Sequence, residues 1–214
     1  PLQTFATNVM GTAHVLEAVR ATPSVKAVVV VTTDKVYAND GSGTPFAEID
    51  SLGGDDPYSA SKAAAELVTA SFRHSYFREP TAPRIGSARA GNVIGGGDWA
   101  PDRLVPDCMR AFADGQPVHL RYPHASRPWQ HVLEPLMGYL SLADALVDDA
   151  GAVGAWNFGP PPEDQAAVGD VARRVARLWS DEAQVLTDDV TAHPHEAGLL
   201  ALDSAKATRV LGWR

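Results

Sequence analysis

Tyr58 and Lys62 are the residues of this sequence whose types and spacing most directly suggest chemistry. Asp56 is a good helix N-cap and Pro57 suits the first helical position, so a helix starting here puts Tyr58 and Lys62 one turn apart. A phenol with a pKa of ~10 is a poor base at neutral pH unless a nearby cation stabilises its phenolate. The pair therefore predicts a tyrosine base with a lysine partner, although a solvated Tyr and Lys on a helix surface fit the same spacing.

A short apolar run before this helix ends in polar residues. Ala27–Val31 is rich in β-branched residues and has polar flanks, which predicts a buried parallel strand. Thr32, Thr33 and Asp34 follow at its carboxyl end, where open parallel sheets bind ligands. We therefore expect a hydroxyl and a carboxyl group to lie beside the Tyr58 helix at one edge of a sheet.

The rest of the chain alternates between predicted helices, strands and loops. Thr7 and Asn8 are expected to cap a first helix that ends near Arg20, and the loop 38–54 is expected to cover the site. Further expected elements are a strand at 85–90, a glycine-rich loop at 91–97, a helix at 103–113, a strand at 118–121, a loop at 127–131, a helix at 133–147, a strand at 155–159, a helix at 168–179 and a last helix capped by Asp203 and ended by Gly212. This alternation predicts an α/β protein with a doubly wound parallel sheet.

Composition and charge exclude several classes of protein. The 214 residues are 45% hydrophobic and 21% charged, which suits one substantial core. The net charge of -8 argues against nucleic acid or a membrane surface as partner, and no apolar run approaches the ~20 residues of a membrane span. The single cysteine, Cys108, excludes an internal disulfide and fits a reducing, cytoplasmic compartment. The seven histidines show no metal-ligand spacing, so we expect no metal site.

Six stretches of sequence together resemble a known enzyme family. They are residues 8–12, 32–35, 52–62, 90–99, 127–132 and 194–197. In this order they resemble the extended short-chain dehydrogenases/reductases, within these the sugar-nucleotide 4,6-dehydratases, and most closely the branch that acts on CDP-glucose. The resemblance implies a Rossmann-like doubly wound parallel sheet, of which we expect the chain to hold only the C-terminal part, because it starts without Met inside a predicted helix.

The resemblance also implies a domain division and a reaction. Residues 1–94 and 128–160 would form part of an NAD-binding Rossmann domain, and residues 95–127 and 161–214 a smaller α/β region that binds a nucleotide sugar. The family's reaction serves deoxysugar biosynthesis: it oxidises C4 of the hexose, eliminates water across C5 and C6, and returns the hydride to C6 through tightly bound NAD. The glycine-rich loop that holds the NAD pyrophosphate is expected outside these 214 residues.

The implied catalytic residues lie at the strand end and on the Tyr58 helix. Thr33 would hold O4 of the sugar, Tyr58 would take the O4 proton with Lys62 as its partner, and Asp34 would act as general acid for the departing O6. The cofactor-binding residues implied are Thr32, Tyr58 and Lys62.

The implied substrate-binding residues are spread over the second half of the chain. Asn92 and Arg127 match positions that contact the substrate diphosphate, and a planar guanidinium suits two phosphate oxygens. Arg103 and His195 are further substrate-binding candidates. Arg89 is open to two interpretations, a substrate contact or a buried ion pair.

The residue that removes the C5 proton is undecided, because position 35 is a lysine. Other sugar-nucleotide dehydratases have Glu at the matching position, whereas the CDP-glucose branch resembles this sequence in having Lys. A lysine is a base only where burial or a like charge strongly lowers its pKa. Lys35 is therefore interpreted either as the base or as a cation that stabilises charge at C5.

Two other functions fit part of the pattern. A nucleotide-sugar 4-epimerase would use Tyr58 and Lys62 without an eliminating acid, and a non-catalytic nucleotide-sugar-binding module would need no acid or base.

The family resemblance also implies a homodimer through the Asn8 and Tyr58 helices. The alanine-rich Tyr58 helix has apolar surface on more than one side, which a second copy could cover.

Overall fold

A computed structural model describes residues 1–187 and 200–214, with the backbone but not the side chain of residue 162. The helices are α1 (Leu2–Phe5), α2 (Gly11–Arg20), α3 (Pro57–Tyr76), α4 (Leu104–Ala113), α5 (Leu133–Asp148), α6 (Val168–Trp179) and α7 (Ala205–Leu211). The strands are β1 (Ala27–Val31), β2 (Arg84–Ala90), β3 (Val93–Ile94), β4 (Val118–Leu120), β5 (Ser126–Arg127), β6 (Gln130–His131), β7 (Gly154–Phe158), β8 (Ala166–Ala167) and β9 (Val185–Thr187). In these described ranges no helix is long and apolar enough to cross a membrane.

The main sheet is parallel and has the strand order β1-β2-β7. Val31 lies opposite Ala88, and Ala90 lies opposite Phe158, so the carboxyl ends of the three strands meet at one edge. Successive side chains of β2 point to opposite faces: Ser87 contacts α3, whereas Gly86 lies against α5. Helices therefore cover both faces of the sheet, which confirms the predicted doubly wound α/β architecture.

The core of this sheet lies on its α5 face. Leu142 and Leu146 of α5 are fully buried and pack in one cluster with Trp156 and Phe158 of β7. Ala207 of α7 belongs to the same cluster. The division of the chain into two regions stays a prediction, but α7, which that division assigned to the nucleotide-sugar-binding region, packs against the main sheet.

A second, smaller core lies between α4 and α6. It is formed with the parallel pair β4 and β9, and its buried residues are Cys108, Phe112, Val118, Leu120, Ala172 and Ala176. Burial, with a smaller contribution from the Asp107 charge, raises the pKa of the Cys108 thiol to about 11. A thiol in this environment behaves as a small apolar side chain.

The start of the first helix was predicted wrongly. The chain is already helical from Leu2, and the residues Ala6–Met10 between α1 and α2 form a π-helical turn. Asn8 therefore caps no helix; its Nδ2 donates to Ser61 Oγ of α3 at 2.9 Å. Thr12 Oγ1 donates to the carbonyl oxygen of Asn8 at 2.7 Å, which gives this carbonyl of the wider turn a hydrogen-bond partner.

Three other local predictions also need correction. β1 is only half-buried, because β2 is its one partner among the described strands and Val31 is 47% exposed at the end of β1. The predicted loop at 127–131 contains residues of β5 and β6, which pair with β8 and β3. The loop 38–54 is anchored at its middle rather than free to cover the site, since Phe46 stacks on Tyr37 with ring centroids 4.8 Å apart and its N–H donates to the carbonyl of Ala201.

Gly138 allows α5 to approach the sheet, and its replacement tests this packing. Gly138→Ala should destabilise the protein by about 1–3 kcal/mol, because the added Cβ would overlap the ring of Phe158. Gly11→Ala is the matched control: its Cβ would meet nothing within 4 Å, so the better helix propensity of Ala should stabilise by up to about 1 kcal/mol. Urea unfolding of both variants checks the pair, and a Gly138→Ala protein as stable as Gly11→Ala would contradict the described contact.

Candidate active site

The amino end of α3 is built as the sequence predicts. Asp56 is the N-cap, and its Oδ1 accepts hydrogen bonds from the backbone N–H groups of Tyr58 at 2.8 Å and Ser59 at 3.0 Å. Pro57 occupies the first turn, where its missing N–H has no cost. Tyr58 is 44% exposed at this end of the helix, so its phenol is accessible to a ligand.

Lys62 joins α3 to the end of β1. Its Nζ donates to the carbonyl oxygen of Val31 at 3.3 Å. Desolvation by burial lowers the pKa of Lys62 from its ordinary value. An ammonium has three donors, so this contact leaves Lys62 able to bind hydroxyl groups of a ligand beside Tyr58.

Thr33, Asp34 and Lys35 form one cluster beyond the end of β1. Thr33 Oγ1 donates to Asp34 Oδ1 at 2.9 Å, and Lys35 Nζ donates to the same oxygen at 3.3 Å. Asp34 is completely buried, and its second oxygen, Oδ2, has no hydrogen-bond partner in the described part of the chain. In this arrangement the carboxyl group is not exposed to a ligand.

Gly91 separates this cluster from a cavity. A Cβ on Gly91 would lie 2.9 Å from Asp34 Oδ2 and 2.8 Å from the ring of Pro128, so the main chain at residue 91 packs this closely against Asp34 only because it has no side chain. The next residue, Asn92, lines a cavity of about 200 Å³. Asn92 Oδ1 is buried and, within residues 1–187 and 200–214, has no hydrogen-bond partner.

The cavity is rich in guanidinium groups. Arg103, Arg121 and Arg127 all line it, and Arg127 is buried. Arg127 Nη1 donates to the carbonyl of Ser126 at 2.9 Å. Asp98 and Asp102 also line the cavity, and Asp102 forms an ion pair with Arg121 at 3.8 Å. Guanidinium groups such as those of Arg103 and Arg127 beside an amide oxygen suit an anionic ligand that also offers a hydrogen-bond donor.

The structure thus arranges the predicted site residues in two neighbouring groups. Thr33, Asp34 and Lys35 contact one another, and Lys62 contacts the strand that carries them. The substrate-binding candidates Asn92, Arg103 and Arg127 line one cavity. The remaining candidate, His195, lies outside the described residues.

Thr32 was expected to contact a cofactor, but its side chain is engaged elsewhere. Its Oγ1 donates to Glu66 Oε1 of α3 at 2.7 Å, and the residue is almost fully buried. A contact between Thr32 and a cofactor would therefore come from the main chain.

The residue that Thr32 binds was not among the predicted site residues. Glu66 lies in the middle of α3 and forms a buried ion pair with Arg89 of β2, whose Nε donates to Oε1 at 2.9 Å and whose Nη2 donates to Oε2 at 3.0 Å. Ser87 Oγ also donates to Oε2 at 2.6 Å. Arg89 is therefore an ion-pair residue. A charged residue on a helix otherwise rich in alanine was the available signal for Glu66.

A second set of buried hydrogen bonds continues from Arg89. Its Nη1 donates to the Tyr37 hydroxyl at 2.8 Å, which in turn donates to Asn157 Oδ1 at 2.6 Å. Burial raises the pKa of Tyr37 to about 12, despite the opposing charge and hydrogen bond of Arg89. Asn157 is fully buried with its amide engaged, so it belongs to this network and not to a substrate pocket.

A larger cavity of about 940 Å³ borders this network at Leu202 and Asp203. Trp129, Gln130, Leu202 and Trp213 contribute to its wall. In the described part of the chain, its lining includes none of the predicted catalytic or substrate-binding residues.

A parallel α/β sheet with a Tyr–Lys helix at its carboxyl edge defines the chain as an extended short-chain dehydrogenase/reductase. The family model described as GDP-mannose 4,6 dehydratase matches residues 1–214, and the chain belongs to this family. This confirms the resemblance to the sugar-nucleotide 4,6-dehydratases.

Individual relatives agree with this placement. The CDP-glucose 4,6-dehydratase of Salmonella typhimurium is 48% identical to the chain over 218 residues, which cover 100% of this chain and 60% of that protein. The dTDP-glucose 4,6-dehydratase DesIV of Streptomyces venezuelae, solved with NAD bound, matches with a TM-score of 0.77 and 26% identity over 98% of this chain and 61% of DesIV. The UDP-glucuronic acid 4-epimerase of Bacillus cereus, at TM-score 0.82 but 18% identity over 98% of this chain and 62% of the epimerase, shares the fold. The chain thus spans about three fifths of the length of each.

The Glu66–Arg89 ion pair predicts a pH-dependent effect of mutation. Burial alone would raise the pKa of Glu66, but Arg89, Ser87 and Thr32 outweigh it and hold the pKa below its ordinary value of 4.5. Stability from this ionised pair is therefore present above about pH 4.5 and is lost as the pH falls further. Arg89→Met should cost about 3–5 kcal/mol at neutral pH, where it leaves the carboxylate buried without its cation.

The destabilisation caused by Arg89→Met should be smaller at about pH 4. In the variant, the unpaired Glu66 has a raised pKa and takes up a proton, while in the wild-type protein the ion pair contributes less stability as the pH falls. Urea unfolding at both pH values measures the change. Arg84→Met is the control: Arg84 also lies on β2, but it donates to the carbonyls of Leu146 and Val147 and not to a carboxylate. An equal cost of Arg89→Met at both pH values would contradict the assigned charges.

Proposed function

We propose that the protein dehydrates a nucleotide hexose, CDP-glucose, to the 4-keto-6-deoxy sugar, with internal hydride transfer by NAD. The observation that carries the proposal is Asp34, a buried carboxyl group whose Oδ2 has no hydrogen-bond partner in the described residues and lies against Gly91, the neighbour of the cavity-lining Asn92. The 48% identity to a CDP-glucose 4,6-dehydratase supports the choice of substrate.

The residues of this chain that would hold NAD fit that role. Tyr58 is accessible, and the Lys62 ammonium stands beside it at the carboxyl edge of the sheet with donors to offer. Thr32 would contribute its main chain. NAD, when bound, supplies a hydride acceptor for C4 and a hydride donor for C6; relatives such as DesIV were solved with it.

The chain's own groups then have separate proton-transfer roles. Thr33 Oγ1 exchanges its hydrogen bond to Asp34 Oδ1 for one to O4 of the hexose, and Tyr58 Oη takes the O4 proton while the Lys62 charge favours the phenolate. Asp34, ionised in its pair with Lys35, takes the C5 proton on Oδ2 and gives it to the departing O6, so that the C5–H and C6–O bonds break, a C5=C6 double bond forms and water leaves.

We assign Lys35 an electrostatic role. Its ammonium is an ion-pair partner of Asp34 at 3.3 Å, and a protonated amine has no lone pair with which to take the C5 proton. In this position its charge stabilises the negative charge that develops next to C4 when C5 loses its proton.

The arginine-lined cavity is the proposed site for the diphosphate. Arg127 and Arg103 supply planar donor pairs for the phosphate oxygens, and Asn92 Oδ1 supplies an acceptor for a hydroxyl group of the sugar. Residues 95–127 and the α6 segment would form most of this nucleotide-sugar-binding region, around the core between α4 and α6.

A homodimer in the cytoplasm completes the proposal. Met10 and Val15 on the first helices and Leu67 on α3 are large apolar residues that remain more than half exposed on neighbouring helices. A second copy of these helices would cover them. Sedimentation of the intact protein at micromolar concentration tests this, and a strictly monomeric species would contradict it.

Loss of water separates the dehydratase from its rivals. The protein incubated with NAD and a panel of nucleotide hexoses should convert the CDP sugar to a product lighter by one water, detected by mass spectrometry. A 4-epimerase would give a product of unchanged mass, and a binding module would give none. Either of these results would overturn the proposal.

Asp34→Asn tests the role of the acid. The amide cannot protonate O6, so a 4-keto sugar that keeps its C6 hydroxyl, lighter than the substrate by two hydrogens, should accumulate at the active site while release of dehydrated product falls on the order of 10² to 10⁴-fold. Tyr58→Phe is the matched variant: it blocks the earlier step, so neither keto sugar should form. If Asp34→Asn releases dehydrated product at the normal rate, Asp34 has only a structural role.

A further inference from the structure

We propose that Glu66 is a positioning residue for this reaction, resting on the proposed function above. Through the hydroxyl of Thr32 it fixes where β1 presents Thr33 and Asp34 relative to the Tyr58 and Lys62 face of α3. Glu66 itself touches neither substrate nor reacting atoms, because it is buried beneath the strand end.

The Glu66 carboxylate is held by four donors. Thr32 Oγ1 and Arg89 Nε bind Oε1 at 2.7 and 2.9 Å, and Ser87 Oγ and Arg89 Nη2 bind Oε2 at 2.6 and 3.0 Å. Each oxygen accepts two hydrogen bonds, so the carboxylate has no freedom to rotate without breaking at least one charge-assisted bond. Glu66 is thus a fixed point from which the Thr32 hydroxyl takes its position.

The periodicity of α3 places Glu66 one helical turn after Lys62 and two turns after Tyr58. Tyr58, Lys62 and Glu66 follow one another at four-residue intervals and therefore lie along one stripe of α3. Lys62 binds the carbonyl of Val31, and Glu66 binds the side chain of the next residue, Thr32. Two attachments, one helical turn apart on α3, thus reach two consecutive residues, the last residue of β1 and the one that follows it.

The catalytic residues come directly after the second attachment. Thr32 N–H still donates to the carbonyl of Ala88 at 2.8 Å, which is the last rung that continues the ladder between β1 and β2. Beyond it, Thr33 is extended, and its Oγ1 binds Asp34 and the N–H of Lys35. These bonds lie within residues 33–35, so Thr32 fixes the cluster on its amino side, and the buried Val36 and Tyr37 fix it on its carboxyl side.

A small displacement here is enough to matter. Reacting groups must lie within a fraction of an ångström of the productive geometry, and a shift of about 1 Å costs on the order of 10²-fold in rate. Removing the Thr32 hydroxyl frees the strand end by one hydrogen bond while the Glu66–Arg89 ion pair remains. The rate of the chemical step should therefore fall more than the affinity for substrate.

The test compares two donors to the same carboxylate. Thr32→Val keeps the shape of the side chain and removes its donor, and Ser87→Ala removes the other hydroxyl donor, which lies on β2 away from residues 33–35. In the intact protein with NAD and CDP-glucose, we expect Thr32→Val to lower kcat by 10- to 100-fold with KM and the Kd for NAD within about twofold. Ser87→Ala should keep kcat, and Thr32→Ser, which restores the donor, should recover it.

Hydrogen exchange of the 33–35 amides gives a readout independent of turnover. It should quicken in Thr32→Val and stay unchanged in Ser87→Ala, even when urea unfolding shows the two variants to be equally destabilised. If Ser87→Ala lowers kcat as much as Thr32→Val, or if Thr32→Val changes neither kcat nor hydrogen exchange, Glu66 has a structural role only and does not position the catalytic residues. A raised Kd for NAD in Thr32→Val would instead make Thr32 a cofactor contact. A wild-type protein without turnover, combined with the predicted exchange pattern, would overturn the proposed reaction and leave the positioning intact.

Discussion

The ion pair between Glu66 and Arg89 is the interaction on which the arrangement of this molecule depends. A carboxylate buried under a sheet costs several kcal/mol unless it is paired and fully hydrogen-bonded. Its donors come from Thr32, which follows β1, and from β2. The charge of Glu66 is therefore neutralised only when α3 takes one position along these strands and one rotation about its own axis. The alanines of α3, such as the buried Ala63 and Ala65, allow the close approach that this requires.

The same ion pair joins the site to the far side of the sheet. From Arg89 the hydrogen bonds pass through Tyr37 to Asn157 of β7, and the carbonyl of Glu48 also accepts from Arg89. The middle of the loop 38–54 is thereby anchored to the core. Polar groups in such a network specify one arrangement strongly, because any alternative leaves a buried donor or acceptor unpaired. Three atoms depart from this pattern in the described residues, Asp34 Oδ2, Asn92 Oδ1 and Gln130 Oε1, and the first two lie at the proposed site.

Features determined by local sequence were predictable, and those determined by distant contacts were not. The start of α3 follows from Asp56 and Pro57, and α6 has the bounds that its apolar periodicity predicts. The partners of Glu66 lie 21 to 34 residues away along the chain, so no local pattern reveals them. The π-helical turn depends on Asn8 meeting Ser61, 53 residues later, and the helix start was misplaced for that reason. Two-residue strands such as β5 and β6 exist only through their partners and have no periodicity of their own.

The site candidates divide in the same way. Thr33, Asp34 and Lys35 are neighbours in sequence and form one cluster, while Asn92, Arg103 and Arg127 were grouped only through family resemblance and line one cavity in the fold. The central claim is that these two groups serve one reaction, in which the hydrogen leaving C4 returns to C6. CDP-glucose deuterated at C4 tests it directly in ordinary water. The account predicts a dehydrated product with deuterium at C6, and deuterium that returns to C4 or is lost to water would contradict it.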